Sequence, residues 1–337
     1  MSEQHSTVSE QHSTVRRLVW IYPERASAHQ RGFEDRNIWH TYQRLAAELG
    51  LELTLNKPDD VAVDATDPAK PKVYLKGEPV TPQDTVFVTM LWALPHQLAD
   101  VGNQVHLYTV LEKLGFYLPM PPQLAYTVVD KMATALHLAG SPIPPLPTVR
   151  IGTGRDAMTG HYDPALAELS YPMLVKPANW GMGLGVSVVH NIHDLRGVIG
   201  LAGGSETPLV IQPYLKDPRE TRIYVVEGEP LAVFQGWKEG YCGMVTNRIG
   251  GERSWSYVEL PERMRETVAY VAERLPCPYF SVDFISDGEQ DWLSEVELDG
   301  GAAFGMSEEG DRLATEMMRA RYRAYLARHA ELMAAGS

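Results

Sequence analysis

The sequence has little cysteine. Cys242 and Cys277 are the two present, with no CxxC pair and no His/Cys cluster around either. A disulfide framework and a structural zinc site are therefore excluded as organising features, and a reducing cytoplasm is the expected setting. No apolar run approaches the length of a bilayer span, and the first residues lack the charged-then-apolar order of a secretory signal. Basic residues are also scarce. Thirty Lys and Arg stand against 43 Asp and Glu, a formal net charge of −13, which argues against a nucleic-acid backbone as the main partner. What remains is a soluble chain acting on small molecules, with neither nucleic acid nor membrane as partner. Residues 2–15 are the polar heptad SEQHSTV written twice, with too little apolar area to order itself, so residues 1–15 are expected to form a disordered tail.

The 337 residues suffice for two or three compact units. The stretch "RRLVWIYP" reads as a buried strand, and "DRNIWHTYQRLAAELG" places Ile38, Tyr42, Leu45 and Leu49 on one helical face before a stop at Gly50. "LELTLNKP" reads as a strand, "KVYLKGEPVT" as a hairpin turning at Gly77-Glu78, and "DTVFVTMLW" as an apolar strand before a helix around 103–114. This strand–helix–strand order predicts an α/β unit with a mainly parallel sheet. The proline-dense "LPMPPQL" marks a first boundary, and the charged "KDPRE" after the strand "TPLVIQPYL" marks a second. The expected division is an N-terminal α/β unit over 16–120, a central lobe over 121–214 and a C-terminal lobe over 215–337. Within the last, antiparallel pairs turn at Glu227-Gly228 and Asp287-Gly288. The closing helix, about 310–334, sets Leu313, Met317, Ala320, Ala324 and Ala327 on one side and its arginines elsewhere.

Three constellations carry chemistry. In "YPMLVKPANWGMGLGVSVV" a lysine, Lys176, ends a strand before Gly181, Gly183 and Gly185, and a second strand begins near Ser187. A cation facing a glycine loop can neutralise phosphate oxygens that backbone N–H groups approach closely. Taken alone, a glycine-rich hairpin with a solvated lysine is the commoner reading of such a stretch. The pattern is neither GxxxxGK[ST] nor a dinucleotide fingerprint, because a strand and not a helix follows. In "VDF…SEVEL", strand alternation puts Glu295 and Glu297 on one face, and the hairpin can bring Asp283 opposite it. Three carboxylates among apolar residues repel unless a cation joins them, and hard oxygen donors suit Mg²⁺ shared with phosphates. A solvated acidic strand face is the alternative. In "TNRIGGERS", Asn247 and Arg248 flank a Gly-Gly turn and can donate to an anion, and Arg222 in "RETRIYVV" can point along the same site. His137, His161, His190 and His193 show no metal-ligand spacing, and Ser187 and Ser281 lack a GxSxG setting.

The order Asp130-Lys131, "LVKPA…GMGLGVS", "VIQPYL", "RETRIYVV", "TNRIGG", "SVDF" and "SEVE" resembles the ATP-grasp ligases over roughly residues 120–305. Its glycine loop is most similar to that of the D-alanine–D-alanine ligases, and its later segments to the ribosomal-modification and glutathione-synthetase type. The resemblance implies an ATP-grasp fold, two lobes clamping ATP behind a small parallel α/β domain. It implies ATP phosphates at Lys131 and Lys176 under a lid of Gly181, Gly183, Gly185 and Ser187, and adenine at Gln212, Pro213 and Tyr214. It implies two Mg²⁺ ions, with Mn²⁺ as a substitute, on Asp283, Glu295 and Glu297, and Arg222, Asn247 and Arg248 on the catalytic, acyl-acceptor side. The implied reaction is ADP-forming amide or peptide bond formation between small amino-acid-like molecules through an acyl phosphate. A homodimer and a role in secondary metabolism such as antibiotic biosynthesis are further expectations. The alternatives are phosphoryl transfer, acyl transfer to a thiol or carrier protein, and ATP binding without turnover. Trp180 and Met182 stand where serines are usual in the loop, Pro213 where Glu is usual, and Glu297 where Asn is common.

Overall fold

The structure, a computed structural model, describes residues 15–22, 35–91, 100–152, 160–181, 183, 185–216, 218–237, 254–302 and 307–335. In chain order the N-terminal part has β1 (Arg17–Ile21), α1 (His40–Glu48), β2 (Glu52–Asn56), β3 (Val61–Asp64), β4 (Lys72–Leu75), β5 (Glu78–Val80), β6 (Thr85–Thr89), α2 (Asp100–Lys113) and α3 (Pro122–Val129). The middle part has α4 (Lys131–His137), β7 (Val149–Ile151), β8 (Met173–Pro177), β9 (Ser187–Val189), α5 (Ile192–Gly204) and β10 (Leu209–Pro213). The last part has β11 (Arg219–Val226), β12 (Glu229–Trp237), β13 (Ser254–Tyr257), α6 (Glu262–Arg274), β14 (Tyr279–Ser286), β15 (Asp291–Glu297) and α7 (Glu308–Ala335).

The first sheet has the order β2-β1-β6 with both pairings parallel, as the strand–helix–strand pattern predicts. Its central strand β1 is apolar without alternation because both of its faces are covered, and Leu18, Val19, Trp20 and Ile21 have no exposed surface. The hairpin β4–β5 belongs to a separate antiparallel sheet, β3-β4-β5. It turns at Lys76-Gly77, one residue earlier than expected, with φ of 51° and 88°. Two consecutive left-handed residues match the twist of a tight hairpin, and the paired register Leu75↔Glu78 leaves just these two between the strands.

The central sheet is antiparallel in the order β7-β10-β8-β9, and the C-terminal sheet runs β13-β12-β11-β14-β15. The proline-rich connector after α4 lies along the last strand of that sheet. Leu146 N–H donates to the Leu293 carbonyl at 2.9 Å, and Leu293 N–H to the Pro144 carbonyl at 2.9 Å. Prolines suit such an edge because they need no ladder donor of their own.

The apolar cores divide unevenly. Trp20, Tyr42, Phe87 and Tyr108 from the first part pack in one continuous cluster with Ile223, Phe280, Phe284, Met317 and Tyr322 from the last. Ile151, Val175, Leu195, Ile199 and Ile211 form a second cluster of the central sheet and α5, joined by Leu166 from the segment between β7 and β8. At about 1.5–3 kcal/mol for each fully buried large apolar side chain, the first cluster binds the N-terminal sheet firmly to the C-terminal one. Helix α7 is the strut between them, lying against α1 and against β11, β12 and β13. It departs from the expected arginine-outside pattern at one position: Arg321 is completely buried, whereas Ala327 faces solvent.

Candidate active site

Strands β8 and β9 pair antiparallel, Val175 opposite Ser187, and the glycine segment joins them. Gly183 and Gly185 have φ of 70° and 71°, a region that L side chains rarely adopt. At Gly185 space is short as well, since a Cβ there would lie 2.7 Å from Pro177 and 3.1 Å from Trp180. Gly181 has no such neighbour. The tip is thus folded back over the end of the strand that carries Lys176.

Lys131 is aimed at the same place by a cap. Asp130 accepts N–H bonds from Met132 and Ala133 at 3.0 and 3.1 Å, starting α4, and also receives Arg150 Nε at 3.0 Å. The Lys131 backbone N–H donates to the Ala178 carbonyl at 2.9 Å. Its Nζ donates to the Trp180 carbonyl at 2.6 Å and pairs with Glu295 at 3.2 Å. The ammonium at the start of α4 therefore touches the acidic strand of the C-terminal sheet.

On that sheet the register sets Asp283 opposite Glu295 and Ser281 opposite Glu297, so the three carboxylates share one face as alternation predicts. Arg222 on β11 lies opposite Asp283 on its other side. Its Nε and Nη2 grip Asp283 at 2.7 and 2.5 Å, and Nη2 reaches Glu297 at 3.3 Å. Burial pushes Asp283 up to about 6, against the opposing pull of Arg222. It pushes Glu297 up to about 7, with Arg222 again opposing and the neighbouring carboxylates adding to the rise. For Glu295 burial also acts upward, but Lys131 and Lys176 outweigh it and hold the group below its ordinary value. Arg222 itself is raised well above its ordinary value, because the two acidic partners overcome burial.

The metal expectation is modified by this geometry. Among the described residues no three His, Cys, Asp or Glu side chains are already grouped as a metal site. Arg222 and Lys131 stand where a cation would, each satisfying one side of the acidic face. The donor chemistry still fits a hard cation: three carboxylates on one face, two of them raised by burial and crowding, with Glu295 and Glu297 open to solvent at 32 and 28 % side-chain exposure and Asp283 buried beneath them at 7 %.

Gln212 and Pro213 end β10, paired with Leu174 and Met173 of β8, and Tyr214 follows. Gln212 Nε2 donates to Thr148 Oγ1 at 2.9 Å, while its buried Oε1 has no protein partner. The buried Asn179 Oδ1 and Trp180 Nε1 lack one too. Unmet buried polar atoms cost about 1–3 kcal/mol each, and three of them lie in the central sheet and the turn after it, around the strand that carries Lys176. Asn247 and Arg248 lie outside the described residues. Sequence reasoning missed the groups behind Glu297. Asp299 is held by Trp20 Nε1 at 3.0 Å and by Arg321. The one signal for this was an arginine among aromatic residues in α7.

A family profile described as "D-ala D-ala ligase C-terminus" matches residues 136–238. The β-citrylglutamate synthase B of Danio rerio is 33% identical over 215 residues, 63% of this chain and 51% of that protein, so the chain spans about half the length of this curated relative. Among solved structures, D-alanine–D-alanine ligase from Bacillus anthracis superposes with a TM-score of 0.65 at 15% identity, covering 94% of this chain and 99% of its own. D-cycloserine synthetase DcsG superposes with a TM-score of 0.60 at 15% identity, covering 91% and 99%. At such identities the likeness is one of fold, and the fold is that of the ATP-grasp proteins. The profile match adds a sequence likeness to the D-alanine–D-alanine ligase C-terminal family over residues 136–238.

Proposed function

We propose that the chain is an ATP-dependent, ADP-forming carboxylate–amine ligase that joins two small amino-acid-like molecules through an amide bond. The observation that carries this reading is the meeting of the two charge sets, Lys131 of the central lobe lying 3.2 Å from Glu295 of the C-terminal sheet. The sequence-expected division into a substrate-side domain (16–120), a central ATP lobe (121–214) and a C-terminal lobe (215–337) belongs to the same proposal, as does a setting in secondary metabolism such as antibiotic biosynthesis.

In this reading Lys131 and Lys176 move from the carboxylate to the ATP phosphates, and the glycine segment closes over them. Gln212, Pro213 and Tyr214 meet the adenine, with the unpaired Gln212 Oε1 as an acceptor for its exocyclic amine. Asp283, Glu295 and Glu297 would hold Mg²⁺, which supplies charge neutralisation at the transferring phosphoryl group when bound. The substrate carboxylate attacks the γ-phosphorus and ADP leaves. The amine then adds to the acyl phosphate, phosphate departs with the C–O electron pair, and the amine proton passes to solvent. Arg222 would stabilise the developing oxyanion, a role that the family resemblance also implies for Asn247 and Arg248. Exclusion of water by the closed loop protects the acyl phosphate from hydrolysis.

The test is incubation of the purified protein with ATP, Mg²⁺ and pooled amino acids, following ADP, free phosphate and new masses together. Equimolar ADP and phosphate with a condensed product support the ligase. A stable phosphorylated product would make it a phosphotransferase, and ATP binding without ADP formation a non-catalytic binder.

A further inference from the structure

The turn that follows Glu297, Asp299–Ala302, is gripped at each residue by a group from a different part of the chain. Asp299 accepts from Trp20 Nε1 of β1 at 3.0 Å and from Arg321 Nη2 of α7. The Tyr279 hydroxyl of β14 donates to the Gly300 carbonyl, and the Tyr224 hydroxyl of β11 to the Gly301 carbonyl at 3.1 Å. Ala302 N–H donates to the Tyr42 hydroxyl of α1 at 2.9 Å. Arg321 is wholly buried, with its guanidinium 3.9 Å from the Tyr279 ring centre, 4.8 Å from Trp20 and 5.4 Å from Tyr325. Its Nε donates to the Tyr325 hydroxyl at 2.6 Å, and its Nη1 has no partner.

A buried ion pair is a poor source of net stability, since desolvation offsets most of its Coulomb gain, but it restricts geometry. Restriction is what this turn needs, because Gly300 and Gly301 in sequence are conformationally free. The turn also presses on the acidic face. A Cβ on Gly300 would collide with Ser281 and lie 3.4 Å from Glu297 Oε2, and Ser281 is the register partner of Glu297. A small displacement of the turn therefore moves the Glu297 carboxylate.

We propose that Asp299 and Arg321 are positioning residues. Together with Trp20 they lock the Asp299–Ala302 turn against Ser281, and so set Glu297 from the N-terminal sheet and the last helix. The catalytic consequence rests on the ligase reading; the mechanical one does not.

The deciding experiment uses the full chain with the double variant Asp299→Asn/Arg321→Met, which leaves neither charge alone. Thermal melting, hydrogen exchange over residues 298–302, and ADP release with pooled amino acids are measured together. Melting close to wild type is expected, with exchange in the turn faster by at least about tenfold. Turnover should fall by at least about tenfold in kcat while KM for ATP changes less than about threefold. A folded double variant with wild-type exchange and wild-type kcat overturns the proposal, because the pair would then be structural filling. Should the double variant fail to fold, Trp20→Phe removes one donor to Asp299 and keeps a ring in place. It is expected to speed exchange of the turn by about threefold or more, and unchanged exchange overturns the proposal. If the wild type releases no ADP, the ligase reading falls, and the exchange measurement alone still decides whether the clamp positions the turn.

Discussion

Replacing Glu297 by Gln removes a carboxylate that burial makes costly to ionise. Glu297 keeps its proton up to about 7 in the folded chain, against 4.5 for an ordinary glutamate, because burial and then Asp283 and Glu295 outweigh the favourable pull of Arg222. Between those two values the native state holds more protons than the unfolded one, so this group's contribution to stability falls as pH rises from 4.5 through 7. The interval, at about 1.4 kcal/mol per pH unit, sets a ceiling of about 3 kcal/mol. The side chain is 28 % exposed, so solvent screening leaves about 1–2 kcal/mol. Arg222 is not orphaned by the change, since its two bonds to Asp283 remain. In a chain of 337 residues that energy corresponds to about 1.5–3 °C in Tm. Melting curves between pH 5 and 8 should therefore show Glu297→Gln above wild type by that margin at pH 8 and level with it at pH 5. Added Mg²⁺ at pH 8 should raise the wild type toward the variant. A variant that melts level with or below wild type at pH 8 would refute the reasoning, and with it the picture of three crowded carboxylates awaiting a cation.

Lys176→Ala and Glu295→Gln should each lower ADP formation by at least about 100-fold, the scale of losing a charge aimed at the transition state. Circular dichroism should show the fold intact, and retained turnover in either would mean that the site is misplaced. Gly185→Ala should raise KM for ATP severalfold, because its φ of 71° and the approach to Pro177 forbid a methyl group there. The strain is worth about 1–3 kcal/mol, and a wild-type KM would show that the glycine tip does not contact the nucleotide.

The elements legible in the sequence are those set by short-range rules. Period-two alternation placed Glu295 and Glu297 together, and the Asp287-Gly288 turn brought Asp283 to Glu295 because hairpin register follows from loop position. Long-range pairing escaped. Arg321 was grouped with the solvent-facing arginines of its helix, since its carboxylate partner Asp299 lies 22 residues away and the Trp20 that shares that carboxylate lies 279 residues from it. Nothing local marks an arginine as buried when the groups that neutralise it come from other sheets. The same limit hid the common core of the first and last sheets, which periodicity describes as two separate units. That shared core has a mechanical consequence. The central sheet and α5 have a small cluster of their own, whereas the turn after Glu297, gripped by Trp20, Tyr42 and Arg321, belongs to the larger core. Lys131 starts α4, whose flanking Val129 and Leu138 pack in the larger core, so both Lys131 and its partner Glu295 rest on that core, while the strands flanking the glycine segment pack in the smaller one.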